Sequence, residues 1–206
     1  MLINRIKNLQ LKYNMIKQWI VLCCIFSMTL AASAQCKLAI DEYDEFDSTR
    51  IIVGLPVNIG YQIPSQFLNA KGDPVMIEEG KALFTYTEND SLSCFFLTLA
   101  LAERSYYSTE EGFNVLLLLS DQRVIGLYNV PDKGEFDKNT NMRIYQHVSV
   151  VPLDQFYELT YHKIEKIRVE YKGFRKTLEI LPNQQNALRE AIRCVGEAAG
   201  LYPVKP

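Results

Sequence analysis

"SLSCFFLTLALAERSYY", residues 91–107, decides the fold. Phe95, Leu97, Leu99 and Leu101 take one phase of a two-residue period, and Phe96, Thr98, Ala100 and Ala102 take the other. That period belongs to extended chain, whose successive side chains point to opposite faces. Both phases are mostly apolar, so the segment is expected to be a central strand covered on two sides.

Working outward, the same period recurs. Upstream, "CKLAIDEYD" (36–44), "TRIIVGLPVNI" (49–59) and "KALFTYT" (81–87) read as strands. Residues 61–80 carry Pro64, Gly72, Pro74 and Gly80 and read as a long irregular connection. Downstream, Phe113–Leu119 and Val124–Val130 flank a polar link and form a hairpin. The loop "PDKGEFDKNTN" (131–141) leads to the strand "MRIYQHVSVV" (142–151). Helical spacing begins after Pro152, with Leu153, Phe156, Tyr157 and Leu159. Residues 164–181 alternate around Lys172-Gly173 as another hairpin, and Leu188, Ile192, Val195 and Ala199 form the apolar stripe of a final helix stopped at Gly200. The expected architecture is α+β: one large, mostly antiparallel sheet of about eight strands, with two helices toward the C-terminus.

The front of the chain has a different character. Residues 1–34 hold four basic side chains, no acid, the apolar run "WIVLCCIFSMTLAA" and the site Ala32-Ser33-Ala34. This is the pattern of a secretory signal peptide, with cleavage expected after Ala34 and a single domain over residues 35–206. The run is short for a membrane span, and Met15 would serve as an alternative start. Removing the leader takes four of the 22 basic side chains and none of the 24 acidic ones, leaving a net charge of −6. An acidic chain has no electrostatic footprint for nucleic acid or anionic membrane. The expected location is periplasmic or extracellular, with no membrane span after leader removal. Cys36, Cys94 and Cys194 remain, which fits one disulfide and one free thiol; Cys36–Cys194 is the favoured pairing.

Chemical signals are sparse. No nucleophile elbow, C-x-x-C pair, zinc spacing or glycine-rich phosphate loop occurs, and no cofactor is expected. The two histidines are His147, within a strand, and His162, at a helix end where the dipole favours it. Asp137, Asn139 and Asn141 match the first ligand positions of a calcium loop, but Met142 and Val148 replace the required Gly and Glu. The stretch "AIDEYDEFDSTR" (39–50) packs in Asp41, Glu42, Asp44, Glu45 and Asp47. Their spacing divides them between two faces of an extended chain, as expected of an acidic turn. Tyr106, Tyr107 and Phe113 gather around the loop "RSYYSTEEGF", where exposed aromatics would suit stacking on a sugar or anchoring a protein.

The signal ending "ASAQC", the "DEYDEFDSTR" opening, and "VPLDQFYEL" leading through "IEKIRVEYKGF" to a helix with Cys194 resemble small exported proteins of unassigned function from the Bacteroidetes. The resemblance implies an envelope or secreted location and no catalytic residues. The expected function is binding of a protein or glycan without catalysis, through Tyr106, Tyr107, Phe113, Asp44 and Asp47. Two alternatives are a carboxylate-dependent glycan hydrolase using Asp41, Asp44 or Asp47, and an inhibitor that blocks a basic enzyme.

Overall fold

The chain's computed structural model describes residues 36–202; the predicted leader lies outside the described residues. In chain order come β1 (Leu38–Asp44), β2 (Thr49–Gly54), β3 (Val57–Leu68), β4 (Pro74–Glu88), β5 (Ser93–Glu103), β6 (Gly112–Leu119), β7 (Val124–Pro131), β8 (Glu135–Asp137) and β9 (Met142–Val151). Helix α1 (Leu153–Tyr161), strands β10 (Ile164–Tyr171) and β11 (Phe174–Glu179), and helix α2 (Pro182–Ala198) complete it.

All eleven described strands join one antiparallel sheet: nine follow the order β1-β2-β4-β5-β9-β7-β6-β10-β11, while β3 pairs with β4 and β8 with β9 off this path. Two strands, β4 and β9, each carry two others in succession along a single edge. β4 pairs along one side with β5, and on the other with β2 near its end and β3 near its start. β9 likewise pairs with β5 on one edge and with β7 and β8 on the other.

The additional strands correct the sequence reading of residues 61–80 and 131–141. Each supposed breaker sits where a sheet tolerates it. Gly60, at φ +77, makes the bulge where the β3–β4 register shifts. Pro64 lies opposite Met76 on β3, whose other side has no ladder, so its missing N–H costs nothing. Gly72 turns the chain, and Pro74 is the first residue of β4.

One face of the sheet holds the core. Phe84, Leu97, Leu99, Leu117, Leu119, Leu127, Ile167 and Leu178 are fully buried there. Both helices lie on this side. α2 packs against β2, β3 and β4 and also against β10, while α1 packs on β5 and α2. Phe156 of α1 stacks on Phe95 with ring centroids 4.1 Å apart. The sheet curls enough to bring β11 up to β3.

The opposite face of β5 differs from expectation. Phe96, Thr98 and Ala100 are only half-buried, and among the described residues no helix covers them. Two apolar phases in β5 therefore do not mean two covering layers here. Cys36 and Cys194 are disulfide-bonded, as favoured from the sequence, and Cys94 is a half-buried free thiol whose pKa burial pushes up.

Candidate functional site

The acidic stretch forms the β1–β2 hairpin, and its carboxylates serve local structure. Asp44 Oδ1 accepts the Phe46 N–H at 2.8 Å and Asp47 Oδ1 accepts the Thr49 N–H at 2.9 Å, both Asx turns. Asp41 takes a two-pronged contact from the Arg50 guanidinium at 3.0 and 3.1 Å. The chain reverses at Ser48, which adopts φ 58. Glu42, Asp44 and Glu45 line an open depression of about 420 Å³ with Tyr43 and Phe46, and Asp41 and Asp47 are not among its lining residues. Phe46 stands fully exposed at the tip, beside an exposed Tyr43.

The three predicted aromatics separate. Tyr107 belongs to the rim of the core: its ring stacks on Phe174 at 4.4 Å and its N–H donates to the Tyr145 hydroxyl at 2.7 Å. Tyr106 is exposed beneath the Arg143 guanidinium, 5.4 Å from the ring centre. Phe113 is 71% exposed and meets Tyr128 edge-on at 5.4 Å.

Asp137, Asn139 and Asn141 shape the β8–β9 turn. Asp137 accepts from the Asn139 backbone N–H and the Thr140 hydroxyl, which hold its carboxyl below the usual range. Asn141 supplies the positive φ of 54. Among the described residues no group of three or more His, Cys, Asp or Glu is gathered to hold a metal ion.

His162 sits at the end of α1 between Asp121 and Glu158, each 3.6 Å away, where Arg123 pairs with both acids. His147 is buried. Its Nδ1 accepts from Asn129 Nδ2 at 3.1 Å, an assignment from the network, because Asn129 also donates to Asn114 Oδ1. Nε2 then donates to the Tyr171 hydroxyl at 3.1 Å. Burial lowers the His147 pKa to about 4, with nearby Asp132 acting against it, so the ring is neutral near pH 7.

Near these residues lies a second buried polar group that the sequence reading did not single out. Lys176 of β11 places Nζ 2.9 Å from Glu79 Oε1 of β4 and 3.6 Å from Glu103 Oε1 of β5. Glu79 Oε2 accepts the Tyr61 N–H at 3.1 Å, satisfying the bulge beside Gly60. Glu103 is 6% exposed, and its Oε1 has no hydrogen bond. Burial raises its pKa, Lys176 opposes the rise, and Glu79 adds to it. A signal for this group existed: Glu103 continues the inward phase of Leu97, Leu99 and Leu101, and Lys176 falls between Phe174 and Leu178. A charge in an apolar phase of a strand marks an inward charge in need of a partner.

The outer sheet face carries the third feature. One row runs Thr85, Phe96, Val150, Tyr128 across paired strands and reaches Phe113. A second runs Leu83, Thr98, Val148, Val130. Tyr128, Val130 and Val124 are exposed. Beyond them is a groove of about 190 Å³ lined by Leu116, Leu118, Val124, Lys166, Arg168 and Thr177.

No family model, curated protein or solved structure matches this chain. Among the described residues no helix is long and apolar enough to cross a membrane.

Proposed function

We propose that the chain is an exported, non-enzymatic protein that binds a protein or glycan partner in the periplasm or outside the cell. The observation that carries this reading is the uncovered outer sheet face, where Phe113, Val124, Tyr128 and Val130 are exposed in continuity with Phe96, Val148 and Val150. Soluble proteins rarely leave so connected an apolar surface bare, and such patches mark interaction sites. Aromatic side chains supply most of the anchoring energy at such sites. The Cys36–Cys194 disulfide supports an oxidising compartment, in keeping with the predicted leader.

The test immobilises the disulfide-bonded protein, passes envelope extract over it and identifies what is retained. A Phe113→Ser, Tyr128→Ser double variant should lose the retained species while unfolding normally. Equal retention by this variant would remove the sheet face from the binding surface. The β1–β2 hairpin favours a narrower reading, a secreted inhibitor of a basic enzyme. Phe46 there is fully exposed among Asp44, Glu45 and Asp47, an apolar tip within an anionic surround. Retention that depends on Phe46 and not on Phe113 would select that reading.

A further inference from the structure

We propose that Lys176 and Glu79 join as an intramolecular amide, formed by the folded protein itself, with Glu103 carrying the protons. The site links β4, near the start of the sheet, to β11, its last strand. β11 is otherwise paired only with β10 among the described strands.

Four observations carry the inference. The nucleophile is placed: Lys176 Nζ lies 2.9 Å from Glu79 Oε1, and both side chains are largely removed from water, at 16% and 12% exposure. The electrophile is polarised, because the Tyr61 backbone N–H donates to Glu79 Oε2 at 3.1 Å. A fixed N–H aimed at a carboxyl oxygen stabilises the charge that develops there during attack. A proton carrier is adjacent: Glu103 Oε1 sits 3.6 Å from Nζ, with no other partner. Burial favours the protonated form of Glu103 against the pull of the Lys176 ammonium, and Glu79 adds a smaller push in the same direction as burial. Finally, ion pairing here is costly in isolation. With Glu103 protonated, the Lys176 ammonium and the Glu79 carboxylate form a charge pair held in a low-dielectric site at a desolvation cost that a neutral amide does not carry.

The step balances without any oxidant or co-reactant. The Lys176 ammonium transfers a proton to the Glu79 carboxylate, giving an amine and an acid. The nitrogen lone pair attacks Cδ of Glu79 and the C–N bond forms. Glu103 gives its proton to the departing hydroxyl and receives one from the nitrogen, so the C–O bond breaks and one water leaves. Holding acid and amine fixed in one site, at effective molarities of about 10⁵–10⁸ M, lowers the barrier to attack.

Intact-mass measurement of the folded, secreted protein tests this. The expected mass is one water below that of the chain with its disulfide, measured from the N-terminus found in the same sample. Fragmentation should locate one branched peptide carrying both Glu79 and Lys176. Lys176→Arg should show the full mass, and so should Glu103→Gln. A wild-type protein of full mass overturns the proposal, as does a water loss that persists in Lys176→Arg. Crosslinking that survives in Glu103→Gln overturns the role given to Glu103. Should either variant fail to fold, the wild-type peptide map alone decides.

Discussion

Replacing Gly196 by alanine should destabilise the protein, against the usual effect of that change in a helix. Gly196 lies in α2 where it crosses α1, and a Cβ there would sit 2.3 Å from Phe156 Cζ and 3.0 Å from Cε2. Carbon atoms in contact rest about 3.5–4.0 Å apart, so the ring must retreat by more than about 1 Å. It has little room to do so. Phe156 is fully buried, lies parallel to Phe95 within 4°, and borders Phe84 at 6.2 Å. Overpacking of this kind costs about 1–3 kcal/mol, while alanine gains about 1 kcal/mol over glycine in a helix interior. The net loss should be up to about 2 kcal/mol, or as much as a few degrees in Tm for a chain of this size.

The companion variant sharpens the claim. Phe156→Ala alone should cost about 3–5 kcal/mol. In that background the added methyl meets Tyr202 Cβ, at 3.2 Å, and no Phe156 ring, so Gly196→Ala should become near neutral or stabilising by less than about 1 kcal/mol. Urea unfolding of all four proteins, disulfide intact, gives the coupling directly. A Gly196→Ala protein more stable than wild type, or one with the same effect in both backgrounds, would refute the packing argument.

Three further outcomes follow from sites already described. His147 has a folded pKa of about 4 against 6.5 in the unfolded chain. The unfolded state therefore binds the extra proton first, and this contribution is complete above pH 6.5 and lost progressively as pH falls toward 4. It is worth about 3 kcal/mol, and His147→Asn should flatten that part of the stability–pH curve; Glu103 acts in the opposite sense, so the variant and not the total slope isolates it. Gly60→Ala should lower the unfolding midpoint by roughly 1–3 kcal/mol equivalent, since φ +77 is strained for alanine and its methyl would fall 2.5 Å from Glu79 Oε2. Reduction, or Cys194→Ser, should cost about 2–5 kcal/mol in urea unfolding, and an unchanged midpoint would show that the bridge constrains little.

Much of the fold was legible because strand alternation and turn chemistry agreed locally. β5, the β6–β7 and β10–β11 hairpins, and both helices follow from period and punctuation alone. β3 and the start of β4 did not, because Gly60, Pro64, Gly72 and Pro74 look like breakers until the bulge, free edge and turn that accept them are known. β8 is three residues long and gains its identity only from β9. The missing second cover on β5 was illegible for a related reason: apolar residues facing outward read the same whether a helix, a partner or water lies over them. At the sites, sequence placed the acidic turn and the exposed Phe113, but grouped Tyr107 with surface residues when its ring packs on Phe174. Glu79, Glu103 and Lys176 are separated by 24 and 73 residues, and only the curl of the sheet makes them neighbours.

The Cys36–Cys194 bridge has a topological consequence under proteolysis. It turns almost the whole described chain into a covalent ring. A single cut anywhere within that ring, for instance at the exposed Gly72 turn between β3 and β4, opens the ring but releases no fragment. Nicked at that turn, the protein would run as one species until reduced, and only then as two. Its sheet, still held along both flanking ladders, would have every reason to stay assembled after the first cleavage.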